Sequence, residues 1–276
     1  MGSPSGAGRR ARVPAGPPLS LIVLGSGSAG NAVVVESAGR RLLFDAGFSC
    51  RELVRRMSAA GIAPESIEAL FVTHEHDDHC RGAGRFCSRY GVPLHATAGT
   101  LEALPGLDGR GRTVHVLRSG EPLEVAGFAV EAFLVPHDAR EPVGLVVEDG
   151  AGRRVGLAAD LGSRSRLAWG RLQDLDLLIL EANHDLDMLR NGPYPWPLKQ
   201  RVAGSHGHLS NAEAALGAAE LVSDRLARVV LYHLSRTNNL PALAVEAVGE
   251  ALAREGSRAA VMLSEQERAT PWIEVP

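Results

Sequence analysis

Apolar positions recur along the chain in two rhythms. Runs that are continuously or alternately apolar predict strands, and runs with apolar residues three or four apart predict helices. From Leu19 onward the two kinds alternate. "LSLIVLG" and "NAVVVES" predict two strands separated by the glycine loop "SGSAG", and "RRLLFDAG" predicts a third ending at Asp45. Ser49 and Glu52 then form an S-x-x-E capping box. Leu53, Val54, Met57 and Ala60 give the helix its apolar stripe, and Gly61 ends it. "IEALFVTH" is the next strand and "DDHCRGAGRFCSRYG" the next helix.

A strand-rich stretch follows: "TVHVL", "EPLEV", "FAVEAFLVPH", "VGLVVED" and "RVGLAAD". Glycine-containing turns between them predict a meander or hairpins. "DLDLLILEANHD" is a strongly apolar strand with a polar end. Ser210 and Glu213 form a second capping box, opening the helix "NAEAALGAAELV". "ARVVLYHLS" predicts a strand, "LPALAVEAVGEALARE" a helix and "RAAVMLS" a last strand. No repeat of fixed period occurs, and no linker divides the chain after residue 18. The alternation predicts an α/β fold: two mixed β-sheets packed as a sandwich with helices outside, four layers forming one domain over residues 19–276. The preceding residues 1–18 are rich in Gly, Pro and Arg and are expected to form a disordered tail.

Composition narrows the picture. Hydrophobic residues are 45% of the 276, enough for a sizeable core. The net charge of −3 supplies no global positive field to steer nucleic acid, so any such contact is local. Of the 29 Lys and Arg, Lys199 is the one lysine. Arginine suits bidentate phosphate contacts. Cys50, Cys80 and Cys87 are an odd count without a CxxC pair, which speaks against a disulfide framework. No apolar run approaches the ~20 residues of a membrane span. Arg9 and Arg10 are followed by an apolar segment too short for an export signal. A cytoplasmic protein without a membrane partner is expected.

The chemistry concentrates in "FVTHEHDDHC", residues 71–80. In an extended segment alternate side chains face one way, so His74 and His76 share a side while Glu75 points away. One turn later Asp78 and His79 open a helix and aim at a second point. The pattern H-x-H-x-D-H thus offers two ligands to each of two adjacent cations, with imidazole and carboxylate suited to zinc, manganese or iron. Four ligands leave both ions incomplete. Three apolar strands end on a ligand type: "LVPH" at His137, "LAAD" at Asp160 and "LYH" at His233. For any one of these, a hydrogen-bonded histidine or turn aspartate is the simpler reading; all three beside such a loop point to a metal site.

These residues carry a resemblance. "THEHDDH", "PHD", "AADLG" and "YHLS" resemble the metallo-β-lactamase superfamily, and the match runs from Leu21 to about Ser264. "LGSGSAGNAVVV", "LEANHD", "GHLSN" and "YHLSRTNNLP" are similar to its YycJ/WalJ-like branch of exonuclease-like metallohydrolases. The branch usually carries Ser where this chain has Asp77, which is not a ligand position in the family pattern. The resemblance implies a four-layer αββα sandwich with a dinuclear centre at one edge. It implies His74, His76 and His137 on a first divalent ion, Asp78, His79 and His233 on a second, and Asp160 bridging. Zn²⁺ and Mn²⁺ both suit these ligands.

Two such ions lower the pKa of a water and offset charge on a phosphodiester. Asp78 and His208 are the catalytic candidates. His208, in "SHGHLSN", is expected to act as general acid or to bind phosphate; a loop histidine holding the Ser210 cap is the alternative, and His206 is the weaker neighbour. Asp45 is expected to position the metal loop through hydrogen bonds, and His184 to line the site. Ser26, Ser28 and Asn31 flank a glycine loop expected to touch substrate; the loop does not match the dinucleotide fingerprint. Arg236, Asn238 and Asn239 follow His233 and are expected to contact phosphate. His95 and His115 are assigned no function.

The expected activity is metal-dependent phosphodiester hydrolysis, as a 5′-exonuclease on DNA or RNA. A small-molecule metallohydrolase acting on a cyclic phosphodiester, thioester or lactam is the alternative, since one fold hosts many chemistries. The acidic net charge and the lack of an obvious basic or aromatic surface weigh against nucleic acid. The lack of a long RNA-clamping insertion weighs against transfer-RNA processing. A non-catalytic protein that kept the fold would carry broken ligands, and all seven candidate positions here are competent.

Overall fold

The structure, a computed structural model, describes residues 17–104 and 113–276. The expected disordered tail therefore lies outside the described residues, apart from Pro17 and Pro18. In chain order the first elements are β1 (Leu19–Gly25), β2 (Ala32–Ser37), β3 (Arg40–Phe44), α1 (Cys50–Ala59) and β4 (Ile67–Phe71). Next come α2 (Asp77–Cys80), α3 (Ala83–Tyr90), β5 (Leu94–Thr97), α4 (Ala98–Ala103) and β6 (Val114–Leu117). The second half holds β7 (Leu123–Val125), β8 (Phe128–Leu134), β9 (Val143–Asp149), β10 (Arg154–Ala158), α5 (Arg166–Arg171) and β11 (Leu177–Glu181). It closes with α6 (Leu186–Asn191), α7 (Trp196–Val202), α8 (Asn211–Glu220), β12 (Arg228–Tyr232), α9 (Pro241–Arg254), β13 (Ala260–Leu263) and β14 (Ile273–Val275).

Two seven-stranded sheets result, in the orders β14-β1-β2-β3-β4-β5-β6 and β13-β12-β11-β10-β9-β8-β7. Both are mixed: antiparallel pairs at β1/β2 and β8/β9, parallel pairs from β3 to β6 and from β10 to β13. The inner faces meet in a core that includes Val23, Val35, Phe44 and Phe71 from one sheet and Phe128, Leu145, Ile179 and Val230 from the other. The outer face of the first sheet packs on α1 and α3 through Leu53, Met57 and Phe86. The outer face of the second packs on α5, α8 and α9 through Trp169, Ala214, Ala218 and Val248. This is the four-layer αββα architecture. The helices start where the capping boxes place them: the Ser49 hydroxyl accepts from Glu52 N at 3.3 Å, and the Ser210 hydroxyl from Glu213 N at 3.2 Å.

Strand direction positions the chemistry. β3 and β4 run parallel, and β1, two antiparallel steps from β3, runs the same way. β10, β11 and β12 are parallel, and β8 is likewise two antiparallel steps from β10. Within each sheet these strands therefore finish on one edge. They deliver Ser26, Asp45 and His74 from the first sheet and His137, Asp160, Glu181 and His233 from the second. Asp45, Asp160 and His233 leave their strands in the left-handed region, at φ 59, 50 and 56°. Non-glycine residues rarely adopt that conformation, and it costs on the order of 1–3 kcal/mol each unless surroundings enforce it.

Four details differ from the sequence expectation. "TVHVL" is not part of the meander: β6 adds to the first sheet beside β5, with Leu94 opposite Val114. The expected helix over 77–91 is two helices, because at Gly82 the chain passes the 46–50 loop so closely that a Cβ would lie 2.3 Å from Phe48 O. β13 is not the last strand, since β14 pairs antiparallel with β1 at Leu19↔Val275. Finally, α4, α5, α6 and α7, with seven residues or fewer each, lack the length for a periodic signal.

Candidate metal centre

The loop from Val72 to α2 follows the end of β4, and two features fix it. The Asp45 carboxylate accepts from Thr73 N at 2.8 Å, from the Thr73 hydroxyl at 3.0 Å and from His79 Nδ1 at 2.7 Å. Gly47 permits the second: a Cβ there would sit 1.7 Å from Asp78 O. This approach lets Asn31 N donate to Asp78 O at 2.8 Å and Ala46 N to His79 O at 2.7 Å.

Two ligand sets form above this loop. Nitrogens of His74, His76 and His137 lie within 4.8 Å of one another, and so do ligand atoms of Asp78, His79 and His233. Asp160 belongs to both neighbourhoods, grouping with His74 and His79 on one side and with His208, His233 and Glu181 on the other. The seven residues picked out by spacing thus converge, although Asp78 and His233 are 155 positions apart.

Hydrogen bonds select which nitrogens face the centre. His137 Nδ1 donates to Gly207 O at 2.9 Å, leaving Nε2 3.2 Å from His76 Nδ1. His74 Nδ1 donates to the Thr73 hydroxyl at 3.0 Å, and its buried Nε2 has no hydrogen-bond partner among the described residues. His79 turns Nε2 inward, 2.6 Å from Asp160 Oδ2, while His233 Nδ1 and His208 Nδ1 lie 2.9 and 3.1 Å from Asp160 Oδ1. Such fixed tautomers with free inward nitrogens are what metal ligation requires.

The electrostatics fit a cation. Burial opposes charge on Asp160, yet His233 and His79 hold its pKa well below the carboxylate range. Burial likewise opposes charge on His79 and His233, but the surrounding carboxylates, Asp160 foremost, hold both well above the usual imidazole value. Burial, reinforced by His79, pushes His74 well below it. Protons on crowded imidazoles thus offset the buried carboxylates where divalent ions would do so. Orphaned His74 Nε2 lies 3.8 Å from Asp160 Oδ2, a gap that ligand distances of about 2.0–2.2 Å can bridge. The donor set fits divalent metal.

Glu181 was not singled out by spacing. It is fully buried at the end of β11, where its carboxylate accepts from Leu161 N (2.8 Å) and Leu209 N (3.1 Å) and holds His208 Nδ1 (2.7 Å) and His233 Nδ1 (3.2 Å). The available signal was an acid closing the wholly apolar run "LLIL". Thr73 was also missed; its hydroxyl links His74 to Asp45.

A cavity of about 400 Å³ opens onto the centre, lined among others by Ser28, His76, Asp78, Asp160, His208 and His233. His208 is held at Nδ1, which leaves Nε2 for the cavity. Burial disfavours its charge, but Glu181 and Asp160 raise its pKa to about 9. Other expected positions sit differently. Ser26 and Asn31 are buried: the Ser26 hydroxyl donates to Asn31 Oδ1 and accepts from His233 N, while Asn31 Nδ2 lies 3.0 Å from His79 Nε2. Arg236 is exposed and ion-paired with Glu267. Asn238 is buried outside the cavity lining, and Asn239 bonds Asn211. Both ring nitrogens of His184 are buried without a hydrogen-bond partner among the described residues, and His184 lies outside the cavity lining. His206 is exposed, with its ring against Ser205. Cys80 donates to Glu75 O, and burial pushes its thiol to about 12.

Comparison with known proteins agrees with this geometry. The beta-lactamase superfamily domain matches residues 40–234. Exodeoxyribonuclease YycJ of Bacillus anthracis is 34% identical over 240 residues, covering 86% of this chain and 90% of that one. Exodeoxyribonuclease WalJ of Streptococcus pneumoniae is 33% identical over 228 residues, 80% of this chain and 84% of its own. The solved metallo-beta-lactamase fold protein YhfI from Bacillus subtilis superposes with a TM-score of 0.72 at 19% identity, over 92% of this chain and 99% of that one. Fold, ligand sets and relatives agree: the chain belongs to the metallo-β-lactamase superfamily, in the branch of the YycJ and WalJ proteins.

Proposed function

We propose that residues 19–276 act as one hydrolase unit, a dinuclear metal-dependent phosphodiesterase that removes nucleotides from nucleic-acid ends, as a 5′-exonuclease in the cytoplasm. The carrying observation is that the two ligand sets sharing Asp160 open into the same cavity as His208. The exonuclease names of the two relatives support the substrate class. His74, His76 and His137 would hold one divalent ion, Zn²⁺ or Mn²⁺, Asp78, His79 and His233 the other, and Asp160 both. Bound there, the pair supplies an acidified water and positive charge for a phosphodiester.

The chain's own residues supply the rest. Asp45, through Thr73 and His79, holds the ligand loop against its own backbone. Glu181 fixes His208 with Nε2 toward the cavity and favours its protonated form, which suits donation of a proton to the leaving oxygen. Ser28 offers the glycine loop's one contact to substrate among the three residues expected there.

The test is a substrate panel: end-labelled single- and double-stranded DNA and RNA against cyclic nucleotides. Stepwise release of mononucleotides from 5′ ends supports the reading, and Asp78→Ala should abolish it without unfolding the chain. Turnover of cyclic nucleotides alone would instead establish a small-molecule phosphodiesterase.

A further inference from the structure

The ligand cluster does not account for one wall of the cavity. Tyr194, Leu198, Arg201 and Val202 line it, all from the turn before α7 and α7 itself. The chain has only three tyrosines, and among the described residues Tyr194 is the one Phe, Trp or Tyr on the lining, which otherwise holds the imidazoles of His76, His208 and His233. The other two are used elsewhere: Tyr232 is buried in the core, and Tyr90 packs on Phe86 at 5.1 Å. Tyr194 is half-buried and stands between Pro193 and Pro195. Those fixed φ angles limit the conformations it must lose on binding a flat partner.

Arg201 is the one Lys or Arg on the lining, against Asp77, Asp78, Asp138 and Asp160. Its Nε meets Asp138 Oδ2 at 2.5 Å, and among the described residues its terminal nitrogens have no hydrogen-bond partner. Asp138 adjoins the first ligand set, with its backbone oxygen 3.3 Å from His76 Nε2. The guanidinium is therefore tethered at one nitrogen beside the centre with its remaining donors free. That arrangement suits a phosphate oxygen adjoining the one under attack.

Resting on the nuclease reading above, we propose that Tyr194 and Arg201 form a subsite for one unpaired terminal nucleotide, Tyr194 stacking on its base and Arg201 holding a neighbouring phosphate. The subsite selects a frayed or single-stranded end, whose base face is open to stacking, and adds a local hold on the strand to a chain of net charge −3. Base stacking on aromatic groups is sequence-tolerant, so one tyrosine serves any of the four bases.

The experiment compares single-stranded DNA oligonucleotides with ordinary ends and with abasic terminal nucleotides, by kcat/KM for release of the first unit. The unaltered chain should prefer the base-bearing end by about tenfold, the usual effect of one stacked base. Tyr194→Ala should erase that preference, Tyr194→Phe should keep it, and Tyr194→Leu, which preserves bulk, should behave as Ala. Arg201→Ala should lower kcat/KM on both ends alike and reduce the salt dependence by about one phosphate contact. Equal rates on both ends in the unaltered chain, or a preference that survives Tyr194→Ala and Tyr194→Leu, overturns the subsite while leaving the nuclease reading standing. If the unaltered chain cleaves cyclic nucleotides but no oligonucleotide, the nuclease reading fails and the subsite with it.

Discussion

Replacing Glu181 by Gln removes one charge at constant volume, and the surrounding donors determine the outcome. All four polar contacts to this carboxylate come from donors: two backbone N–H groups on Oε2 and the Nδ1 atoms of His208 and His233 on Oε1. A glutamine amide must turn its NH₂ toward one pair. The backbone pair has no lone pairs to offer, so the NH₂ faces the imidazoles, whose Nδ1 protons keep one carboxylate acceptor in Asp160 Oδ1, 2.9 Å from His233 and 3.1 Å from His208. Where Nδ1 instead accepts from the amide, the ring proton sits on Nε2. In His233 that nitrogen faces the second ligand set, 3.1 Å from Asp78 Oδ2. A protonated Nε2 cannot ligate, so metal affinity at this set should fall by about 10–100-fold, the usual effect of losing an orienting partner. Two hydrogen bonds to a charged acceptor become neutral ones, at about 1 kcal/mol each. The metal-stripped chain should thus lose about 2 kcal/mol, and its Tm should fall by roughly 4–8 °C. Competition with a chromogenic chelator measures the affinity, and urea unfolding in EDTA measures the stability. Affinity within about threefold of the unaltered chain, together with an unchanged unfolding midpoint, would refute the assignment of Glu181 as the group that fixes these tautomers.

Other consequences follow from the same geometry. Gly47→Ala puts a Cβ 1.7 Å from Asp78 O and 2.7 Å from Asn31 N, so the ligand loop must shift; kcat/KM should drop at least about tenfold. Gly150→Ala, which meets nothing within 4 Å, should change neither activity nor Tm. At the far end of the sandwich, burial opposes charge on Asp149, but Arg153 and backbone N–H groups hold its pKa below the usual value. A depressed carboxylate stabilises above its unfolded pKa of about 3.9 and loses that contribution as pH falls through its folded value. Asp149→Asn should therefore flatten the acid limb of the stability profile below about pH 4, and an acid limb identical to that of the unaltered chain would contradict the buried Arg153 pairing.

Most of the sandwich was legible because its strands are apolar and two of its helices, α1 and α8, open on an S-x-x-E cap. The ligand loop was legible for a different reason. Solvated residues have no cause to crowd three imidazoles into six positions, and strands ending on His137, Asp160 and His233 show where a sheet edge presents ligands. Glu181 escaped notice because one acid after an apolar run also reads as a strand leaving the core; only the fold brings His208 to it. Arg236 lies near His233 in sequence, but its side chain turns outward to Glu267. Arg201, 32 positions before His233, reaches the cavity instead. Such placement depends on how α7 lies against the sheet edge, and its seven residues carry too little periodicity to reveal it.

Elemental analysis of chain purified without chelator most directly tests the claim that two cations share Asp160. The account predicts about two transition-metal ions per chain, falling after Asp160→Ala in a protein that remains folded. A reproducible content near zero, or full loading retained by that variant, would contradict it.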